Sequence, residues 1–268
     1  MKRLLAAALF CAATSASAHD FWLAPAAFQM DAPGVTRVDF SIGHASKVEP
    51  WNLQWSRVYS LRTYTAEGVA DHQRSIIPKT PLAPGFARVA LEAAGTHVVA
   101  FESRDSFSEL EAERFNAYAE KEGLVAVLSA RENAGTTDES GRETYSRRAK
   151  ALVQVGDVVT DNVLEPIGQT LEIVPLRHPY ALGDDRALPV RVLFRGEPLQ
   201  GALIDLTDLA SGDGPLQSRR TDAAGVATFE VPEAGAFKLN VIWGVSTPAS
   251  DRAEFDTIFC SLTFGMRP

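Results

Sequence analysis

Cysteine is almost missing from this chain. Only Cys11 and Cys260 occur in 268 residues, so no disulfide framework holds the fold. Histidine is scarce too, with 5 in all, and each position therefore counts as a ligand candidate. Positive charge is in deficit, with 26 Lys and Arg against 34 Asp and Glu for a formal −8. That sign argues against a nucleic-acid binder, which needs a basic face to displace counterions, and disfavours docking on an anionic membrane. Enzyme motifs are absent as well: there is no Gly-x-Ser-x-Gly elbow, Gly-rich phosphate loop, His-Glu-x-x-His or Cys-x-x-Cys. The chain reads as a binding protein rather than an enzyme. Hydrophobic residues make up 46%, enough for a packed core in one large domain or two ordinary ones.

What is present begins with a leader. Lys2 and Arg3 precede the apolar run Leu4–Ala13, and Ala16-Ser17-Ala18 ends it with small residues at the cleavage positions. This is the pattern of a secretory signal peptide over 1–18, and the run is shorter than the roughly 20 residues needed to span a bilayer. No later stretch approaches spanning length, so the mature protein is expected to be soluble, exported and periplasmic. Cleavage would leave His19 first and remove Lys2 and Arg3, giving 24 basic against 34 acidic residues. The remaining Cys260 lies in the apolar-rich stretch 257–262 and reads as a buried small residue.

From residue 35 the pattern has period two. Val38, Phe40 and Ile42 alternate with Arg37 and Asp39, and 57–65, 86–92 and 96–102 read as further strands. The middle differs. Phe107, Leu110, Phe115 and Tyr118 recur at helical spacing, Ser106 with Glu109 fits a capping box, and Gly123 fits a stop. A helix is expected over 106–122, a weaker one over 124–131, and a polar loop over 132–142. Strand character returns at 145–155, loosens over 156–168, and resumes at 171–175, 188–194, 202–206, 227–231 and 237–243 with turn signals between. The fold class expected is all-β dominated, in two β-rich units. The first spans 19–160 with a helical insertion near 106–131, and the second spans 168–268 as an Ig-like or transthyretin-like sandwich.

The stretches Gly196-Glu197-Pro198-Leu199-Gln200-Gly201, Thr221-Asp222-Ala223-Ala224-Gly225 and Pro232-Glu233-Ala234-Gly235 resemble carboxypeptidase-regulatory-like and transthyretin-like sandwiches. Joined to His19-Asp20-Phe21-Trp22-Leu23, Tyr145–Val153 and Leu171-Glu172-Ile173-Val174-Pro175 before Pro179-Tyr180, they make the whole mature chain similar to an exported bacterial family of unknown function. That family is often labelled a nickel-uptake or cobalt-uptake transporter component. The position before Pro179 is often Asn in that family and is His178 here. The resemblance implies metal handling and a membrane metal transporter or receptor as partner.

The residues themselves point the same way. An N-terminal histidine offers its amine and imidazole Nδ1 to one metal, and the amine loses its proton readily because it titrates near neutral pH. A second imidazole would complete a three-nitrogen histidine brace, suited to Cu or Ni by ligand type. The candidate partner is His44 at the end of the strand 35–42, then His97, then His178, while His72 sits in a polar loop. The expected metal site is His19, His44 and His97, with Asp20, Glu102 and Asp105 as possible carboxylate additions. Phe21, Trp22, Trp51, Trp55, Tyr59 and Tyr64 read mainly as core, but exposed they would suit glycan stacking. Arg148 and Lys150 share one strand face, read as solvated. The competing reading is a metal-free Ig-like module binding glycans or proteins.

Overall fold

Residues 20–44, 47–211, 214–248 and 252–267 are described in a computed structural model. The leader over 1–18 and His19 lie outside the described residues. Along the chain come β1 (Asp20–Pro25), β2 (Gln29–Met30), β3 (Gly34–His44), β4 (Lys47–Pro50), β5 (Val58–Tyr64), β6 (Val69–Asp71), β7 (Ile76–Ile77), β8 (Phe86–Leu91) and β9 (Gly95–Ser103). β10 (Ser106–Leu110) leads into α1 (Ala112–Lys121) and α2 (Val125–Ala134), and the long β11 (Gly141–Val155) follows. The remainder is β12 (Leu171–Pro175), β13 (Ala187–Phe194), β14 (Glu197–Pro198), β15 (Leu203–Asp208), β16 (Gln217–Arg220), β17 (Val226–Glu230), β18 (Gly235–Ser246) and β19 (Phe255–Met266).

These strands form three sheets. A ten-stranded sheet runs β16-β15-β18-β19-β11-β9-β5-β6, with β10 and β2 also on β11. It is covered on one face by the β1-β3-β8-β7 sheet with β4, and on the other by the β12-β13-β14 sheet with β17. Strands from both sides of the 156–168 stretch meet in it, because β11 pairs in parallel with β19 from Glu143↔Phe255 to Ala151↔Thr263.

Alternation explains how one strand serves two cores. Successive side chains point to opposite faces. In β11, Ala149, Ala151 and Val153 therefore enter the core shared with β1, β3 and β8, whereas Leu152 enters the core under β12 and β13. β9 divides in the same way, with Val99 and Phe101 on one side and Val98 on the other. Each buried Val, Leu or Phe side chain among these contributes about 1.5–3 kcal/mol, so the central sheet is stabilised from both faces.

The helical insertion exists but starts later than its spacing predicts. Residues 106–110 pair with β11 from Ser106↔Tyr145 to Leu110↔Gly141, and that ladder satisfies the backbone that a capping box would have served. Phe107 is consequently exposed, and α1 begins at Ala112. Phe115 and Tyr118 do face inward, joined by Leu124 and Val127, onto Ile242, Phe255 and Phe259 of the central sheet. The expected stop at Gly123 holds, with φ 69°. α2 runs on to Ala134, and β11 starts at Gly141, so the polar loop is shorter than 132–142. Among the described residues no helix is long and apolar enough to cross a membrane, which says nothing of strands.

Candidate functional site

β1 carries the chain's entry into the fold. It pairs antiparallel with β3, Asp20 opposite Gly43 and Phe21 opposite Ile42. Phe21 and Leu23 fill the core between the sheets, while Asp20 and Trp22, one residue out of phase, meet β18. Lys238 Nζ lies 2.5 Å from Asp20 Oδ2, and Asn240 Nδ2 donates to Asp20 Oδ1 at 3.1 Å. Lys238 and Asn240 alternate with Phe237, Leu239 and Val241, so they leave the core beneath β12 and β13 and point back toward β1. The Lys238 ammonium also sits 4.6 Å from the centre of the Trp22 ring, an attraction between cation and π-face.

Acids gather around this contact. Burial pushes the Glu122 carboxyl up to about 7, with the charge of Asp20 adding to it and Lys121, 3.4 Å away, opposing it. Burial likewise raises the Asp205 carboxyl, with the Asp20 charge contributing and Ser218 opposing through a hydrogen bond.

The four histidines among the described residues do not gather at one place. His19 lies outside the described residues. His44 ends β3 and is paired along the backbone with Lys47, one residue beyond the Asp20↔Gly43 register. The preceding Gly43 has φ 139°, and a Cβ there would stand 2.0 Å from the Lys47 carbonyl oxygen, so only glycine fits this turn toward β4. His97 lies elsewhere. β3 starts at Gly34 opposite Leu91, where β8 turns toward β9, and its 11 residues span roughly 33 Å to His44 at about 3.3 Å each. The structure therefore does not bring His97 to the His44 end.

His97 Nε2 donates to the Ala93 carbonyl at 2.8 Å, leaving Nδ1 buried without a partner. With His72, Glu92 and Asp71 it lines a cleft of about 560 Å³. His72 is half-buried rather than solvated: its Nε2 lies 2.9 Å from Thr63 Oγ1, and desolvation lowers its pKa despite Asp71 and Glu92. His178 is a structural cap. Its Nδ1 accepts from the Tyr180 amide at 3.1 Å, so its Nε2 donates to Thr96 Oγ1 at 3.0 Å.

Other expectations change with packing. Glu102 lies 3.9 Å from Arg148, and Asp105 is exposed. Arg148 and Lys150 do not form a solvated face: Lys150 is buried and pairs with Glu172 under the sheet that covers it. Trp22 and Trp51 are core, whereas Trp55 and Tyr59 are 47% and 58% exposed. Arg147 is enclosed by the rings of Phe21, Trp51, Tyr145 and Phe259 at 4.9–5.7 Å, and desolvation lowers its pKa.

Lys238 and Asn240 are the residues of the amino-terminal contact that sequence reading missed. They sit in an ordinary strand pattern, and the only signal was a lysine two residues before an asparagine, on the face opposite Phe237, Leu239 and Val241. Among the described residues no three His, Cys, Asp or Glu side chains gather as a metal-binding group.

Comparison with known proteins places the chain in a family of unknown function. No curated protein matches it. Among solved structures it is similar to the BSP domain of a biofilm-associated protein, at 11% identity and a TM-score of 0.21, covering 91% of this chain and 30% of that one. It is similar to the D0–D1 domain of intimin at 13% identity and a TM-score of 0.21, covering 91% of this chain and 97% of the other. At that TM-score neither likeness carries an argument. A family model does: residues 16–244 match DUF4198, a domain of unknown function, and the protein belongs to that family.

Proposed function

We propose that this is an exported protein that binds one transition-metal ion, Ni, Co or Cu, and assists its uptake or delivery to a membrane transporter. The ligands proposed are the amine and imidazole of His19 with the imidazole of His44. The observation that supports the reading is the β1–β3 register, which ends at Asp20↔Gly43, one residue short of each histidine. Nitrogen donors of this kind suit late divalent metals, and their affinity order does not select one of the three. Export rests on the leader pattern, and the nickel- or cobalt-uptake label on the family resemblance. The test is elemental analysis of protein exported with its own leader, with intact mass to identify the first residue. One equivalent of metal on a chain beginning at His19 bears the proposal out. A chain that carries no metal, and takes up none when it is added, overturns it.

A metal-free binding module is the second reading, favoured by the exposure of Trp55 and Tyr59, four residues apart in the chain. It predicts glycan binding that Trp55→Ala and Tyr59→Ala weaken while metal content stays at zero.

A further inference from the structure

We infer that the cleft lined by His97, Asp71 and Glu92 binds a small aliphatic ammonium ion of the diamine kind, independently of the metal-binding reading above. The cleft opens where the core shared by β1, β3 and β8 runs out. Val99 and Phe101 of β9 fill that core, and His97, two residues earlier on the same face, stands at its end. Thr63 of β5, Asp71 of the edge strand β6, and Glu92 and Ala93 just after β8 form the walls around it. Its volume of about 560 Å³ is in the range of small-molecule sites.

The charge of the cleft has one sign. Glu67, Asp71 and Glu92 line it with exposed side chains, and no lysine or arginine is among the lining residues. Arg62 approaches Asp71 Oδ2 only at 4.0 Å. His72 is uncharged at neutral pH, because desolvation lowers its pKa and the charges of Asp71 and Glu92 only partly offset that. The independent sign of a ligand is His97, which is 3% exposed. Its Nε2 carries the proton given to the Ala93 carbonyl, so in the neutral ring Nδ1 is a bare lone pair, and no donor reaches it. A buried acceptor without a donor is costly, and an N–H from a molecule in the cleft supplies one. A metal ion fits poorly, since its ligands must all lie about 2 Å from one point. No three His, Cys, Asp or Glu side chains gather in that way among the described residues. Ammonium groups on a short methylene chain instead spread their donors over carboxylates and imidazole, while Val69 and Ala90 offer apolar contact to the methylenes.

The test titrates 1,4-diaminobutane into the metal-free exported protein at neutral pH and low salt, where exposed carboxylates are least screened. Long-range nitrogen–proton spectra report the imidazole nitrogens. The diamine is expected to move the His97 Nδ1 signal and to leave that of His178, a residue outside the cleft whose nitrogens are both bonded. 1,4-Butanediol, of the same length and uncharged, is expected to move neither. Glu92→Gln removes one exposed charge, so the variant is expected to fold and to weaken the diamine roughly 5- to 10-fold. Glu197→Gln removes an exposed charge from β14, in the sheet on the opposite face, and is expected to change nothing. An unmoved His97 signal overturns the inference, and so does butanediol acting as well as the diamine. Equal weakening by Glu92→Gln and Glu197→Gln overturns it too, since the diamine would then be held by the acidic surface at large. One-to-one Zn(II) binding that moves the His72 and His97 signals, with no response to the diamine, would reassign the cleft to a metal.

Discussion

Lys150 Nζ lies 2.8 Å from Glu172 Oε1, with the two side chains 2% and 1% exposed, and this pair bolts the central sheet to the sheet above it. Glu172 is further supplied with three backbone amides from 167–169, so its charge is fully solvated by the protein. Removing one partner strands the other in the interior. Lys150→Met alone should cost about 3–5 kcal/mol, whereas Lys150→Met/Glu172→Gln should cost less than the single change. Urea unfolding of the three proteins checks the order, and a double variant weaker than Lys150→Met would refute it.

Glu143 makes stability depend on pH. It is buried beneath α1 with Tyr118 Oη 3.5 Å away, and burial pushes its carboxyl from 4.5 up to about 7, against the hydrogen bond from Tyr118 and the charge of Arg147. A carboxyl raised in the folded state holds its proton more tightly there than in the unfolded chain. Its contribution is therefore complete below about 4.5 and is lost as pH rises to about 7, on the order of 3 kcal/mol in all. Glu122 acts in the same sense, while the lowered His72 and His178 act oppositely below their ordinary value of 6.5. Subtraction isolates Glu143: Glu143→Gln should gain stability relative to the parent as pH is raised through this range. A pH-independent difference in melting temperature would rule this out.

Metal binding should discriminate sharply among histidines. His44→Ala is expected to abolish one-to-one uptake of Cu(II) or Ni(II), and His97→Ala to leave it unchanged, since His97 belongs to the far end of β3. Gly43→Ala should also weaken uptake, because its Cβ would collide with the Lys47 carbonyl and displace the end of β3. Isothermal titration of the three variants decides. Loss of binding in His97→Ala with retention in His44→Ala would reverse the assignment.

Cys260 should be chemically silent. It is fully buried in β19, and burial pushes its thiol up to about 12. Thiolate is the reactive form, so the folded protein should not react with a thiol reagent at neutral pH, and a chain beginning at His19, without Cys11, should take up one equivalent after denaturation. Prompt labelling of the native protein would contradict the packing described.

Legibility followed the range of the interactions. Val38 and Phe40 announced β3, and Leu188 to Phe194 announced β13, because alternation and turn residues act between neighbours in sequence. Phe115 and Tyr118 announced the inward face of α1 for the same reason. Ser106 misled because its local preference for a helix cap was overridden by a ladder to Tyr145, which lies 39 residues away. β19 went unread as a strand for a similar reason: its clean alternation is confined to Cys260–Phe264, and Thr257, Ser261 and Thr263 are buried although polar because the strand is covered on both sides.

By itself the sequence determined the β-dominated class, the place of the helical insertion, the buried Cys260 and the scarcity that makes His19 and His44 stand out. Each of these depends on residue type and spacing along the chain. Only the tertiary structure decided that Lys238 and Asn240 hold Asp20, that Lys150 is buried with Glu172, and that His97 lies far from His44. Those depend on which strands pair and which sheets stack, and a linear pattern does not carry the register that brings residues 20 and 238 together.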